Sequence, residues 1–117
     1  NGASKNVSFA KIHAEYDEFS DHGWCHTIPN AMIVAASLLY GGGDYTKSIC
    51  MAVETGFDTD CNGATVGSVV GMMNKSTAIG AQWTAPINGM LDTSIFGVGR
   101  VNIDDMVERT IKHIKAK

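Results

Sequence analysis

The sequence predicts an all-α fold, a compact helical domain, and three observations support it. Apolar residues recur at helical spacing between residues 9 and 19, a nearly pure apolar stretch runs from 31 to 40, and residues 101–114 repeat an amphipathic pattern. The chain has 117 residues, enough for one small domain. Hydrophobic residues make up 44% and charged residues 18%, which is typical of a chain that folds.

The first predicted helix is short and amphipathic. Its apolar residues Phe9, Ile12, Tyr16 and Phe19 follow one another at intervals of three and four. The segment Asp21–Gly23 then predicts a turn.

The second predicted helix covers Ala31–Tyr40 and follows Pro29, a residue that a first helical turn tolerates. Because this helix is apolar on every face, we expect it to be buried all round. Three consecutive glycines, Gly41–Gly43, end it.

Asp44 is a suitable N-cap for a third helix, Tyr45–Glu54. We expect Ile49, Ala52 and Val53 to face the interior of the domain.

A polar loop is predicted over Phe57–Gly63, followed by a fourth helix over Asn62–Met73. Gly63, Gly67 and Gly71 are spaced by four and share one face of this helix. Since glycine weakens a helix, we expect a close approach to a neighbouring helix on that face.

Residues 74–100 are irregular, with Thr93–Phe96 predicted as a short strand. The last predicted helix presents an apolar stripe from Val101 to Ile114, with acidic residues at its start and basic residues at its end. This order of charges suits the helix dipole.

Charge and cysteine usage bound the class of protein. The net charge of −3 argues against nucleic acid or an anionic membrane as the main partner. The longest apolar run is about half of the roughly 20 residues that a membrane span needs, and no secretory signal is visible. Three cysteines at irregular spacing, without a CxxC pair, predict reduced thiols in a cytoplasmic protein.

The stretch from Gly56 to Thr65 carries the chemistry. Asp58 and Asp60 lie here among small side chains that contain oxygen, between two apolar helices. Carboxylate and hydroxyl oxygens are hard ligands, which suit Mg²⁺, Mn²⁺ or Ca²⁺.

This stretch has two other interpretations. The opening Asp58-x-Asp60-x-Asn62-Gly63 matches an EF-hand, but the twelfth loop position is Val69 instead of a bidentate acid. The EF-hand is therefore rejected. The other is purely structural: Asp60 or Asn62 caps the following helix and Asp58 forms an Asx-turn.

Three segments resemble the ADP-ribosylglycohydrolase family. Trp24–Ala31 is similar to its W-x-H-T-x-x-N-A segment, Asp44–Ile49 to its G-D-F-x-x-A/S-I segment, and Gly56–Asn62 to its G-x-D-T-D-x-N signature. The resemblance covers roughly residues 24 to 75, and the tail is similar to the closing loop and helix of the family.

The resemblance implies an all-α fold with two Mg²⁺ ions, Mn²⁺ being possible, and hydrolysis of the glycosidic bond between ADP-ribose and a protein side chain or small acceptor. Asp58 and Asp60 would be metal ligands, and Cys61 occupies the position of a third, hydroxyl ligand. A thiol is a poor ligand for Mg²⁺. Substrate-binding positions would be His26, Asn30, Thr59 and Asn62, with a structural role as the alternative for His26 and for Asn30, which is also a natural residue for the start of a helix.

The acidic T-D-D-type segment and the catalytic acid of the family have no counterpart here. The sequence also opens at Asn1 instead of Met. We therefore expect the C-terminal portion of a single domain, one half of the metal site, and a missing N-terminal portion or a second copy of the chain as partner. The alternative is a non-catalytic relative that binds ADP-ribose or has a structural role.

Overall fold

The structure is a computed structural model that describes residues 4–20 and 23–116. It is 65% helical with one small sheet, which confirms the prediction of a helical fold. Of the predicted turn at Asp21–Gly23, the first two residues lie outside the described residues. The helices are α1 (Lys5–Glu15), α2 (Thr27–Gly41), α3 (Tyr45–Glu54), α4 (Thr59–Asn74), α5 (Ala81–Thr84) and α6 (Ile103–Lys115), and the strands are β1 (Met90–Asp92) and β2 (Arg100–Asn102).

The chain forms two compact units, one ending at Ala78 and one beginning at Ile79. In the first unit, α4 packs against α3 and α2, and α1 packs against α2. The core between these helices consists of Ile12, Ile33, Ala52, Phe57, Val66 and Val70.

The glycine face of α4 packs closely against α3, as predicted. A Cβ atom at Gly63 would lie 3.1 Å from Cγ2 of Val53, and one at Gly67 would lie 3.2 Å from Cδ1 of Ile49. A side chain at either position would require the α3 side chain opposite to shift by a few tenths of an ångström.

The buried residues of helix α2 lie along one face of the helix. Its buried residues are spaced by four: Pro29, Ile33, Ser37 and Gly41. Leu39 is 73% exposed, so the prediction that α2 is buried all round is wrong for the part of the chain that the structure describes. Within the described residues, no helix combines the length and apolar character that crossing a membrane requires.

The predicted bounds of α3 are correct. The Asp44 side chain caps it by accepting a hydrogen bond from the backbone N–H of Lys47 at 2.7 Å. Ala52 faces inward as expected, but Val53 is 44% exposed.

Two predicted boundaries are wrong, the end of α1 and the start of α4. Helix α1 ends at Glu15, so Phe19 falls outside it and is 91% exposed. The predicted polar loop is shorter than expected, because the Asn62 N–H donates to the Asp58 carbonyl and α4 already begins at Thr59.

The second unit contains an antiparallel hairpin in which Leu91 pairs with Val101. The predicted strand Thr93–Phe96 is wrong, since this segment belongs to the connection between β1 and β2. Asn102 caps α6 by accepting a hydrogen bond from the Asp104 N–H. No residue of α6 is buried.

Candidate metal centre

The connection between α3 and α4 carries the acidic motif and has an unusual backbone. Gly56 and Phe57 both have positive φ angles, 88° and 59°. A positive φ is costly for an aromatic residue, so surrounding contacts must hold it. The Phe57 side chain is buried in the core, which supplies one such contact.

Side chains from the α1 region hold the same connection. The backbone N–H of Phe57 donates to Oε2 of Glu18 at 2.6 Å. Nε2 of His13 lies 2.8 Å from the carbonyl oxygen of Thr55, and its ring centroid lies 5.0 Å from that of Phe57. Neither His13 nor Glu18 was identified from the sequence.

Asp58, Asp60 and Cys61 form a cluster in which one potential ligand atom from each lies within 4.8 Å of the others. The early start of α4 brings them together, since Asp58 is its N-cap residue and the other two lie in its first turn. Asp58 is half-buried, whereas Asp60 and Cys61 are exposed.

The Asp58 side chain makes no capping hydrogen bond to α4. Its Oδ1 atom is buried and has no hydrogen-bond partner among the residues that the structure describes. The structural interpretation, in which Asp58 forms an Asx-turn or cap, gives this oxygen no role.

Interactions within the cluster shift the pKa values of Asp60 and Cys61. Hydrogen bonding to the side chain of Asp58, and then to the backbone N–H groups of Cys61 and of Asp60 itself, lowers the pKa of Asp60. A hydrogen bond to Asp58 and the negative charge of that carboxylate raise the pKa of the Cys61 thiol. The Asp58 side chain is the main cause of both pKa shifts.

A pocket of about 530 Å³ opens beside the cluster, between α2 and the start of α4. One wall is apolar and comes from α2. Its other lining residues carry oxygen, nitrogen or sulfur, and Asp58 and Cys61 are among them. The apolar wall consists of Ala31, Val34, Ala35 and Leu38, and the polar lining of Cys25, Thr27, Asn30, Asp58, Cys61, Asn62 and Thr65.

Of the four predicted substrate-binding residues, two line the pocket and two do not. Asn30 and Asn62 line the pocket and are hydrogen-bonded to each other at 2.7 Å. Thr59 is the half-buried first residue of α4. His26 is the N-cap residue of α2 and stacks on the ring of Tyr16, with centroids 6.0 Å apart.

The donor set fits a divalent cation in part. Two carboxylates are hard ligands, and the buried Oδ1 of Asp58 has a coordination position to offer. The Cys61 thiol suits softer metals. A calcium loop of the EF-hand type is excluded by the structure as well, because residues from Thr59 onward are helical.

Searches of curated proteins and of solved structures returned no match. The family model of ADP-ribosylglycohydrolase matches residues 3–116, nearly the full chain. It therefore covers both compact units and includes the acidic cluster. On this evidence, the chain belongs to the ADP-ribosylglycohydrolase family.

Proposed function

We propose that this chain supplies one half of a Mg²⁺ site for hydrolysis of the glycosidic bond between ADP-ribose and a protein side chain or small acceptor. Membership of the family supports hydrolysis of ADP-ribose linkages by a glycosidase-type enzyme. The dependence on a metal rests on one observation: the buried Oδ1 of Asp58 has no partner among the described residues.

A comparison within the chain strengthens this argument. Asp44 and Asp58 are the N-cap residues of consecutive helices, but only Asp44 accepts a capping hydrogen bond. A carboxylate oxygen that is buried without a partner loses its hydration without compensation. A cation bound by Asp58 and Asp60 would supply that compensation.

Asp58 and Asp60 would hold the cation through oxygen, with Cys61 or water at a third position. A bound Mg²⁺ orients substrate oxygens and lowers the pKa of a coordinated water. The apolar wall of α2 excludes water from one side of the pocket and offers a surface for the base or ribose carbons of a nucleotide. Thr59, the half-buried first residue of α4, would orient a ribose hydroxyl, and Asn62 would contribute through its Oδ1 on the pocket wall.

The site is proposed as a half because three donors do not enclose a strongly hydrated dication, let alone two. Among residues 4–20 and 23–116, Asp58, Asp60 and Cys61 are the one group of three acidic, thiol or imidazole side chains placed to share a metal. The remaining ligands and the catalytic acid would come from an upstream segment or from a second copy of the chain.

The test of the metal site is a titration of the chain with Mn²⁺, followed by NMR and repeated in competition with Mg²⁺. We expect paramagnetic broadening centred on Asp58–Asn62, relieved by excess Mg²⁺, and lost in Asp58→Asn. The matched control is Asp44→Asn, which makes the same change in charge at another N-cap and keeps the cap, since asparagine caps helices as well as aspartate does. Equal broadening in Asp58→Asn and the wild type would contradict the proposal.

A second measurement separates the enzyme from a non-catalytic relative. In a form of the protein that includes the upstream segment, release of ADP-ribose from an ADP-ribosylated protein or small molecule is followed with and without Mg²⁺. We expect turnover that chelation abolishes, and loss of turnover in Asp58→Asn. Binding of ADP-ribose without turnover under all conditions would favour the non-catalytic relative.

A further inference from the structure

The Asn30 side chain lies at the centre of a small hydrogen-bond network. Its Nδ2 donates to the backbone carbonyls of Trp24 and His26, both at 2.9 Å. Its Oδ1 accepts from the backbone N–H of Asp58 at 3.0 Å and from Nδ2 of Asn62 at 2.7 Å. These bonds also settle the orientation of the amide, since two donors face Oδ1 and two acceptors face Nδ2.

These four bonds use the whole capacity of the amide. An asparagine side chain offers two N–H donors and an oxygen with two lone pairs. Asn30 lines the pocket, but it has no donor or acceptor left for a ligand. Its contribution to the pocket must therefore pass through the groups that it holds.

One of the groups held by this arrangement is the backbone of Asp58. Its φ of −84° and ψ of 76° are neither helical nor extended, and it follows Phe57 in the left-handed region. Such a backbone persists only where its surroundings fix it. Glu18 accepts the N–H of Phe57 and Asn30 accepts the next one, so two successive N–H groups are held by distant side chains.

Asn62 extends the same connection by one turn of α4. It is 3% exposed and donates to Asn30, so α2 is linked to α4 at both Asp58 and Asn62. Because the link uses the backbone of Asp58, both carboxylate oxygens of that residue stay clear of it.

We infer that Asn30 is a positioning residue that orients the Asp58 carboxylate for metal binding and does not itself bind substrate. The inference rests on the proposed metal site. Removal of a group that hydrogen-bonds to a metal ligand and orients it typically weakens metal affinity by about 10- to 100-fold. Asn30→Ala should weaken Mn²⁺ binding at Asp58–Asn62 by a factor in that range.

The chain offers a matched control at the other end of α4. Nδ2 of Asn74 donates to the Gly43 carbonyl at 2.6 Å, so it also links α4 to the α2–α3 region by a side-chain hydrogen bond. Asn74→Ala removes a comparable link far along the helix from the cluster. A purely structural role for Asn30 predicts that both variants melt earlier and that both bind Mn²⁺ like the wild type.

The experiment has two readouts, both made on variants shown to be folded at the temperature of the assay. The first is the dissociation constant for Mn²⁺, expected to rise about 10- to 100-fold in Asn30→Ala and to stay within about twofold in Asn74→Ala. The second is hydrogen exchange of the Asp58 amide without metal. We expect faster exchange in Asn30→Ala alone, because that amide loses its acceptor.

The outcomes separate this inference from the proposed function. Unchanged Mn²⁺ affinity in Asn30→Ala overturns the positioning role and leaves the metal site standing. If the wild type binds no Mn²⁺ while Asn30→Ala still exposes the Asp58 amide, the metal site fails and the orientation of Asp58 by Asn30 stands. Unchanged amide exchange in Asn30→Ala overturns the inference whatever the metal does.

Discussion

Substitution of Asp44 by alanine should lower stability and leave metal binding intact, whereas substitution of Asp58 should abolish metal binding without loss of stability. The two residues are the N-caps of consecutive helices, α4 and α3. Asp44 accepts a hydrogen bond of 2.7 Å from the backbone of Lys47, whereas Asp58 makes no capping bond. Substitution by alanine therefore removes a cap in one case and a side chain that does not cap in the other.

The magnitudes follow from that difference. Loss of a helix cap typically costs about 1 kcal/mol, within a range of roughly 0.5–2 kcal/mol. In a unit of this size, about 1 kcal/mol lowers the melting temperature by roughly 4–8 °C. Asp58→Ala removes no capping bond, so its free energy of unfolding without metal should not fall by the about 1 kcal/mol expected for Asp44→Ala.

The assay is thermal unfolding of both variants by circular dichroism, first with a chelator and then with Mn²⁺. Without metal, Asp44→Ala should melt earlier than the wild type and Asp58→Ala should not. With metal, Asp44→Ala and the wild type should both be stabilised, whereas Asp58→Ala should show no shift. If Asp58→Ala loses as much stability without metal as Asp44→Ala does, Asp58 is a helix cap and the argument for the metal ligand is refuted.

Four further predictions concern the cluster, the chain as a whole and the packing of α2. Cys61→Thr should tighten Mg²⁺ binding and weaken Cd²⁺ binding, because a hydroxyl is the harder donor; identical metal preferences would place Cys61 away from the ion. Asp58→Asn should lower the pKa of Cys61 and so speed alkylation of this thiol near pH 8. The rate is followed by mass spectrometry with the exposed Cys25 as internal reference. An unchanged ratio of the Cys61 rate to the Cys25 rate would show that Asp58 does not perturb the thiol. The chain alone should associate in light scattering and leave ADP-ribosyl substrates intact; a monomer that cleaves substrate unaided would contradict the half-site. Gly41→Ala should destabilise the chain by about 1–3 kcal/mol in chemical denaturation, because its Cβ would overlap the Ser48 side chain; wild-type stability would show that α3 yields without cost.

Sequence periodicity predicted the helices well where a cap or a breaker marks their ends. Asp44 gave the start of α3 correctly, and Gly42, in the left-handed conformation, follows the end of α2. It failed at the start of α4, because Asp58–Asn62 is polar and resembles a loop in composition although it forms a helical turn. Composition does not distinguish a polar first turn from a polar loop.

The acidic cluster was predictable because its members are neighbours in sequence. Asp58, Asp60 and Cys61 come together through a single turn of helix, which a local motif can show. Glu18 and His13 were missed because they bind the loop from 39 and 42 residues away. No spacing rule in a single sequence connects residues that far apart.

The position of the cluster at the start of α4 also determines how its two carboxylates differ. A helix N-terminus carries partial positive charge and disfavours a cation placed near it. Hydrogen bonding to the Asp58 side chain, and then to the backbone N–H groups of Cys61 and of Asp60 itself, lowers the pKa of Asp60. The Asp58 side chain accepts no capping bond from α4, its backbone N–H is held by Asn30, and its Oδ1 has no partner among the described residues. If the proposed metal site exists, binding should therefore depend on the orientation of Asp58, which the link from α2 to α4 holds.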